Sequence, residues 1–130
     1  MLNIHSENIG DIAIVECEGS LSELESANRL RNAVTSKKQA RVIVIDLSKI
    51  RVISGFGVDM MLFLQRWTYD RRIELKFFNP STLVKTILEK ASSFCEFDFP
   101  ALQETMAILA GAQRNNRAAA SFARRKLPAG

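Results

Sequence analysis

The residues best suited to chemistry lie in the stretch VISGFGVD, residues 52–59, which directly follows the hydrophobic run VIVIDLSKI. Ser54 stands in this stretch, with Gly55 and Gly57 just after it. A serine ahead of a helix is a favoured N-cap. Because glycines have no side chain, two of them in the first helical turn would leave the backbone N–H groups accessible at the positive end of the helix dipole. The spacing therefore predicts a hydroxyl that a large partner can reach.

Three large apolar residues surround this hydroxyl, namely Val52, Ile53 and Phe56. Three such side chains within five residues are hard to bury together in a loop between a strand and a helix. An exposed apolar patch beside an accessible serine is typical of a protein-binding surface. A well-packed turn with an ordinary capping serine is the alternative, and the residues alone leave it open.

Other chemistry finds little support in the sequence. Asp46 ends the preceding strand, where α/β proteins often place functional groups, but its carboxylate can equally accept hydrogen bonds in the following turn. The chain has no GxxxxGK[ST], GxGxxG, HExxH or GxSxG motif and no Cys/His cluster. His5 is the only histidine, which excludes a His-rich metal site. We therefore expect a protein that is not an enzyme and that binds no metal or cofactor.

The net charge of +4 arises at the C-terminus. Residues 111–130 contain five basic side chains and no acidic one, which leaves 13 basic and 14 acidic side chains in the other 110 residues. A nearly neutral domain offers no basic footprint for specific nucleic-acid binding. The terminal segment is short of large apolar residues and is expected to be a flexible, solvated tail.

Several features predict a cytoplasmic protein. No segment approaches the ~18 uninterrupted apolar residues of a transmembrane helix. The start of the chain, MLNIHSENIGD, lacks the basic region and apolar run of a secretory signal. Cys17 and Cys95 are far apart and form no CxxC motif, so buried free thiols in a reducing compartment are expected.

Hydrophobic periodicity predicts one α/β domain over residues 1–110. The stretches LNIHSE and IAIVECEG flank the turn NIGD and form an N-terminal β-hairpin. Helices and strands then alternate in the order β-β-α-β-α-β-α-β-α, which implies right-handed βαβ units, a mixed, mostly parallel sheet and about four helices. The run ARVIVIDLS is apolar on both faces, as in a central strand covered on both sides. The last strand and helix are expected at FCEFDF and ALQETMAILA.

Local signals place the helices in more detail. Ser20 or Ser22 is the expected N-cap of the first helix, and Pro80 is expected to open the third. The buried stripes expected from helical spacing are Leu24, Ala27, Leu30 and Val34 in the first helix and Leu83, Ile87 and Leu88 in the third.

Taken together, these residues resemble the STAS domain family, the module of anti-sigma-factor antagonists and of sulfate-transporter tails. The family has an apolar strand ending in Asp-Leu-Ser, which residues 46–48 match. After a short link, Asp-Ser-Ser-Gly-Leu/Ile-Gly opens a helix, and residues 54–57 match its last four positions as Ser-Gly-apolar-Gly. Val52 and Ile53 replace the first Asp and Ser of that motif. The stretch ECEGSLS resembles the family's Gly-x-Leu, and the resemblance extends over about residues 5–110.

The resemblance implies regulation by partner switching. In phosphorylated members of the family, the serine aligned with Ser54 is the target of a serine kinase that is also an anti-sigma factor. The unmodified domain docks onto this kinase and releases the sigma factor, and phosphorylation undoes the docking. Ser54 is thus the expected phosphorylation site, with Asp46 and Ser48 supporting the motif. The expected partner-binding residues are Val52, Ile53, Ser54, Gly55, Phe56, Gly57 and Met60.

The replacement of the motif's Asp by Val52 keeps an alternative open. STAS domains also serve in stress-signalling complexes and as small subunits of lipid-transport ATPases, where the same loop face meets the ATPase. In such a complex the domain would bind constitutively, without phosphorylation. Self-association through the N-terminal hairpin is a further open question at this level.

Overall fold

The computed structural model describes residues 1–91, which fold into four strands and three helices. The strands are β1 (Leu2–Ile9), β2 (Ile12–Leu21), β3 (Val42–Ile53) and β4 (Glu74–Phe78); the helices are α1 (Leu24–Thr35), α2 (Gly55–Asp70) and α3 (Thr82–Ala91). The predicted α/β class and N-terminal hairpin are confirmed. The predicted strand FCEFDF, the fourth helix, Cys95 and the tail 111–130 lie outside the described residues.

The four strands form one mixed sheet in the order β1-β2-β3-β4. The strands β1 and β2 pair antiparallel across a turn at Gly10, while β3 pairs parallel with both β2 and β4. The crossovers through α1 and α2 therefore run in the same direction across the sheet. Because such crossovers are right-handed, both helices lie on the same face, which we call the helix face.

The main core lies between the helix face and the three helices. Sheet residues at every second position meet buried residues of the helices here; examples are Val15, Ile43, Ile45 and Phe77 from the strands and Leu30, Met61, Leu64, Val84 and Leu88 from the helices. Two predictions of burial are wrong, since Leu24 is 56% exposed and Leu83 is 63% exposed. Each lies on the side of its helix that faces away from the core, since the first turns bury Ala27 in α1 and Val84 in α3 instead.

The starts of two helices also differ from the predictions. The N-cap of α1 is Glu23, without a side-chain capping bond, because β2 continues through Ser20 to Leu21. The helix α3 begins at Thr82, after Pro80. Here a serine does cap, since the Val84 amide donates a hydrogen bond of 3.2 Å to the Ser81 hydroxyl.

The largest difference concerns β3, which is longer than the hydrophobic run that predicts it. The predicted loop around Val52 and Ile53 is wrong: both residues belong to the strand, where they pair with Ser20 and Leu21 of β2. The register shifts twice along this pairing, so that β3 accommodates extra residues as bulges. The bulges break the alternation of polar and apolar residues that would have marked a strand.

Candidate functional site

Ser54 occupies the N-cap position of α2, but its side chain does not cap that helix. The Ser54 hydroxyl instead donates a hydrogen bond of 2.9 Å to the backbone carbonyl of Ser22. The Ser54 amide donates a second bond, of 3.1 Å, to the carbonyl of Leu21. The predicted position is therefore correct and the predicted capping bond is wrong. Ser54 ties the start of α2 to the connection between β2 and α1.

The two glycines after Ser54 have different roles. Gly57 is buried, and a Cβ atom built on it would lie 2.5 Å from the Leu21 carbonyl oxygen and 2.7 Å from Ile53 Cγ1. Only a glycine lets α2 approach the end of β2 this closely. Gly55 is exposed, and a Cβ atom there would meet nothing within 4 Å. Of the two, only Gly55 fits the prediction of an open first turn.

The apolar residues around Ser54 divide into one buried and two exposed side chains. Ile53 is only 7% exposed, whereas Val52 is 49% exposed and Phe56 is 52% exposed. The half-buried Met60 and the 44% exposed Phe63 follow Phe56 at i+4 and i+7, on the same side of α2. We call Phe56, Met60 and Phe63 the α2 stripe. Phe63 was not among the predicted site residues, although its spacing of seven from Phe56 is a signal for it.

The charged residues near Ser54 are of both signs. The first turn of α2 contains no acidic residue that would offset the positive end of the helix dipole. Lys49 and Arg51, both exposed, lie in the last part of β3. Exposed Glu23 directly follows Ser22, whose carbonyl accepts the Ser54 hydrogen bond, so the apolar surface near Ser54 has charges of both signs at its edge.

Asp46 and Ser48 lie away from this surface. Asp46 is 2% exposed, and its Oδ1 accepts hydrogen bonds from the Ser48 amide at 3.0 Å and the Ser48 hydroxyl at 2.7 Å. The two residues bond to each other at the first register shift between β2 and β3, so we call them the bulge pair. Asp46 precedes Ser54 by eight residues in a strand that rises ~3.3 Å per residue, which separates them by roughly 20 Å or more. The structure does not bring Asp46 and Ser54 together.

Cys17 is a poor nucleophile in this fold. Burial, together with the smaller effect of the nearby charges of Asp46 and Glu16, raises the pKa of its thiol to about 12. The thiol is therefore protonated at neutral pH and withdrawn from solvent.

Among residues 1–91, one group has the composition to hold a metal ion. His5, Glu7 and Glu16 place potential ligand atoms within 4.8 Å of one another. They lie on β1 and β2, on the sheet face opposite the helices, and not beside Ser54. Exposed carboxylates commonly cluster without binding a metal, so the group by itself assigns no site.

Comparisons with known proteins place this architecture in a family. The STAS domain family model matches residues 3–107. The anti-sigma factor antagonist SpoIIAA in its unphosphorylated form has a similar fold, with a TM-score of 0.66 at 14% identity, covering 82% of this chain and 94% of that one. The phosphorylated form of SpoIIAA, described as a Bacillus cell fate determinant, matches with a TM-score of 0.65 at 12% identity over 82% of this chain and 99% of that one.

A further similar structure is that of an anti-sigma factor antagonist from Mycobacterium paratuberculosis. Its TM-score is 0.62 at 16% identity, over 84% of this chain and 94% of that one. No match was found among curated proteins. Within the described part of the chain, none of the helices is both long and apolar enough to span a membrane. The family match covers most of the sequence, and the chain belongs to the STAS domain family.

Proposed function

We propose that this chain is a non-enzymatic anti-sigma-factor antagonist that switches partners with a serine kinase acting as an anti-sigma factor. The observation that carries the proposal is the position of Ser54, at the start of α2 between the exposed side chains of Val52 and Phe56. Structural similarity to anti-sigma factor antagonists supports the same assignment. In this role the protein acts in the cytoplasm, where sigma factors and their kinases are found.

A binding role fits the site better than catalysis does. The Ser54 hydroxyl donates its hydrogen bond to a backbone carbonyl, so no general base is oriented to activate it as a nucleophile. The buried carboxylate of Asp46 is engaged with Ser48 at a distance from Ser54. The exposed side chains around Ser54 are large and apolar, which suits a protein partner.

The partner-binding residues have two tasks in this proposal. Val52, Phe56 and Met60 contact the partner, and Phe63 extends that surface by two turns along α2. Ile53 and Gly57 are buried and hold the surface in place by packing at the end of β2. Gly55 is exposed and leaves the backbone beside Ser54 accessible.

Phosphorylation of Ser54 would act through both its hydrogen bond and its charge. A phosphoserine oxygen has no proton to donate, so the bond to the Ser22 carbonyl is lost. The added charge of about −1.5 to −2 is tolerated at a helix N-terminus without acidic residues. The same charge is costly to desolvate inside an apolar interface. Phosphorylation is therefore expected to leave the domain folded while it weakens the complex.

One observation favours a second candidate function, constitutive binding without phosphorylation. The exposed Val52 stands where the family motif has an acidic residue. An apolar residue at this position of the motif suits a permanent subunit of a lipid-transport ATPase or of a stress-signalling complex. In that case Ser54 serves only to join α2 to the β2–α1 connection.

The test compares three full-length baits in the native cell extract: the wild type, Ser54→Ala and Ser54→Asp. The first substitution removes the bond to Ser22 without adding charge, so it separates the two effects of phosphorylation. We expect the wild type and Ser54→Ala to retain a kinase, and Ser54→Asp to lose it. The captured kinase with ATP should then add one phosphate to the wild type and none to Ser54→Ala, as measured by intact mass.

The outcomes separate the two candidate functions. An ATPase subunit retained equally by all three baits supports constitutive binding and contradicts the phosphorylation switch. A kinase that binds Ser54→Asp as tightly as the wild type also contradicts the switch, because the added charge then has no effect on docking.

A further inference from the structure

The strand β1 forms one edge of the sheet. It stands first in the strand order β1-β2-β3-β4, so β2 is its only neighbouring strand within residues 1–91. The eight residues of β1 pair with β2 at eight consecutive positions, without a register shift. On its other side, an edge strand presents a row of backbone N–H and C=O groups that can pair with a further strand.

The pairing with β2 decides which backbone groups of β1 face outward. Ile9 and Ile12 flank a two-residue turn and stand directly opposite each other, so they form a hydrogen-bonded pair. Such pairs alternate along antiparallel strands. The Ser20 amide, which donates to the Met1 carbonyl at 3.3 Å, fits the same alternation. The backbone groups of the odd-numbered residues therefore face β2, and those of the even-numbered residues face outward.

The outward-facing residues in the middle of β1 are Ile4, Ser6 and Asn8. In the part of the chain that the structure describes, no backbone hydrogen bond outside the β1–β2 ladder involves any of the three. Proteins commonly protect an exposed edge with a proline, a lysine, a bulge or a very short strand. The strand β1 has eight residues, contains no proline or lysine, and pairs with β2 without a bulge. This edge is therefore suited to pairing with another strand.

We propose that β1 pairs antiparallel with β1 of a second copy of this chain, about a two-fold axis at Ser6. In this register the two Ser6 residues stand opposite each other, and Ile4 stands opposite Asn8 of the second copy. The resulting three pairs are hydrogen-bonded pairs, because they join outward-facing residues only. A two-fold axis lets the same surface serve both copies, as in most homodimers.

The side chains of β1 favour a second copy as the occupant. The register places His5 opposite Glu7 of the second copy, in a non-hydrogen-bonded pair, where side chains approach most closely. An imidazole can donate a hydrogen bond to a carboxylate, and the two-fold axis makes this contact twice. An axis at His5 would instead oppose two imidazoles and would use Leu2, whose carbonyl already accepts a hydrogen bond from Arg29.

This inference does not depend on the proposed partner switching. The strand β2 separates β1 from β3, whose end leads to Ser54, so the two surfaces belong to different strands. Pairing along one strand edge makes a small interface, and small interfaces are typically transient. We therefore expect a dimer that dissociates on dilution.

Sedimentation equilibrium of the full-length chain, over roughly a hundredfold range of concentration, measures the association. We expect the average mass of the wild type to rise from that of one chain toward twice that value. Ser6→Pro removes the outward amide at the axis but no hydrogen bond to β2, so it should abolish the dimer and leave the fold intact. Ser6→Ala keeps the amide and is the matched control, expected to dimerise as the wild type does.

Ser6→Lys decides the result if proline disturbs β1 itself. Ser6 is exposed, so a lysine is accommodated in one copy, whereas two lysines opposite each other at the axis repel. Trp67 fluorescence confirms that each variant is folded. A wild type that stays monomeric at every concentration would leave the edge to a strand of another protein and overturn the proposal. A folded Ser6→Lys variant that dimerises like the wild type would overturn it as well.

Disulfide formation between copies tests the register. Cys95→Ser removes one thiol and Cys17 is buried, so a single new cysteine reacts. Two cysteines at position 6 would have Cα atoms ~5.5 Å apart, within the range of a disulfide, whereas two at position 8 would be ~13 Å apart. With oxidised glutathione we expect Ser6→Cys to form a disulfide-linked dimer and Asn8→Cys to form none. Equal yields, or a greater yield from Asn8→Cys, would contradict this register and overturn the proposal.

Discussion

The family motif falls in two regions of the same strand-to-helix unit. The first region is the bulge pair, Asp46 and Ser48, and the second is the start of α2. At the bulge pair the motif's carboxylate is buried: Asp46 is 2% exposed and accepts two hydrogen bonds from the half-buried Ser48. At the start of α2, Ser54 and Gly57 are fixed against the end of β2, while Phe56 between them is 52% exposed.

This difference indicates that a motif residue can serve either the stability of the fold or the binding of a partner. The bulge pair satisfies buried polar groups and so contributes to stability alone. The start of α2 uses two residues for attachment and leaves Phe56 between them exposed, at the proposed docking surface. Substitutions in the two regions should therefore divide into those that change the free energy of unfolding and those that change partner affinity.

The largest expected loss of stability is that of Gly57→Ala. The new methyl group would lie 2.5 Å from the Leu21 carbonyl oxygen, which is backbone and cannot rotate away. Overpacking of this kind costs about 3 kcal/mol of unfolding free energy. Urea denaturation measures it, and Gly55→Ala is the matched control, expected within about 0.5 kcal/mol of the wild type. Equal losses in the two variants would show that α2 does not depend on close approach to β2.

The next largest effect is expected for Asp46→Ala. It removes the carboxylate that accepts both bonds from Ser48, at a cost of about 2 kcal/mol. Ser48→Ala removes only the hydroxyl bond and is expected to cost about 1 kcal/mol. Affinity for the partner captured with the wild-type bait should not change in either variant. A loss of affinity with unchanged stability would place the bulge pair in the docking surface and end the division between the two regions.

Ser54→Ala should have a smaller effect on stability. It removes the hydrogen bond between the Ser54 hydroxyl and the Ser22 carbonyl, which is worth about 1 kcal/mol. The matched control is Ser36→Ala. The Ser36 hydroxyl also donates to a backbone carbonyl, but this bond is exposed and its acceptor, Ala33, is only three residues earlier in the chain. We expect the control to stay within about 0.5 kcal/mol of the wild type in urea denaturation. If Ser54→Ala is as stable as the control, the attachment to the β2–α1 connection is energetically unimportant.

The same comparison explains what could be predicted from the sequence. The order of elements followed from periodicity because Ile43, Ile45 and their neighbours alternate regularly between two buried faces. The end of β3 could not be predicted in this way. Its buried residues Ile50 and Ile53 are three positions apart, because the bulges shift the register.

The hydrogen-bond partners of Ser54 could also not be predicted from the sequence. Its acceptors are the backbone carbonyls of Leu21 and Ser22, and any residue type offers the same carbonyl. Residue type predicted the N-cap position of Ser54, whereas the direction of its hydroxyl depends on a segment 32 residues away. The same holds for Gly57, whose need for a small side chain comes from that segment.

Phe56→Ala gives the smallest expected change in stability and the sharpest test of the comparison. Its side chain is already half-exposed, so truncation should stay within about 0.5 kcal/mol of the wild-type unfolding free energy. Loss of a central aromatic anchor typically costs about 2 kcal/mol of binding, which is more than tenfold in partner affinity. Calorimetric titration of the captured partner measures this. Leu83→Ala is the matched control, because Leu83 is 63% exposed on α3. If Leu83→Ala weakens binding and Phe56→Ala does not, the docking surface lies on α3 and the start of α2 is structural like the bulge pair.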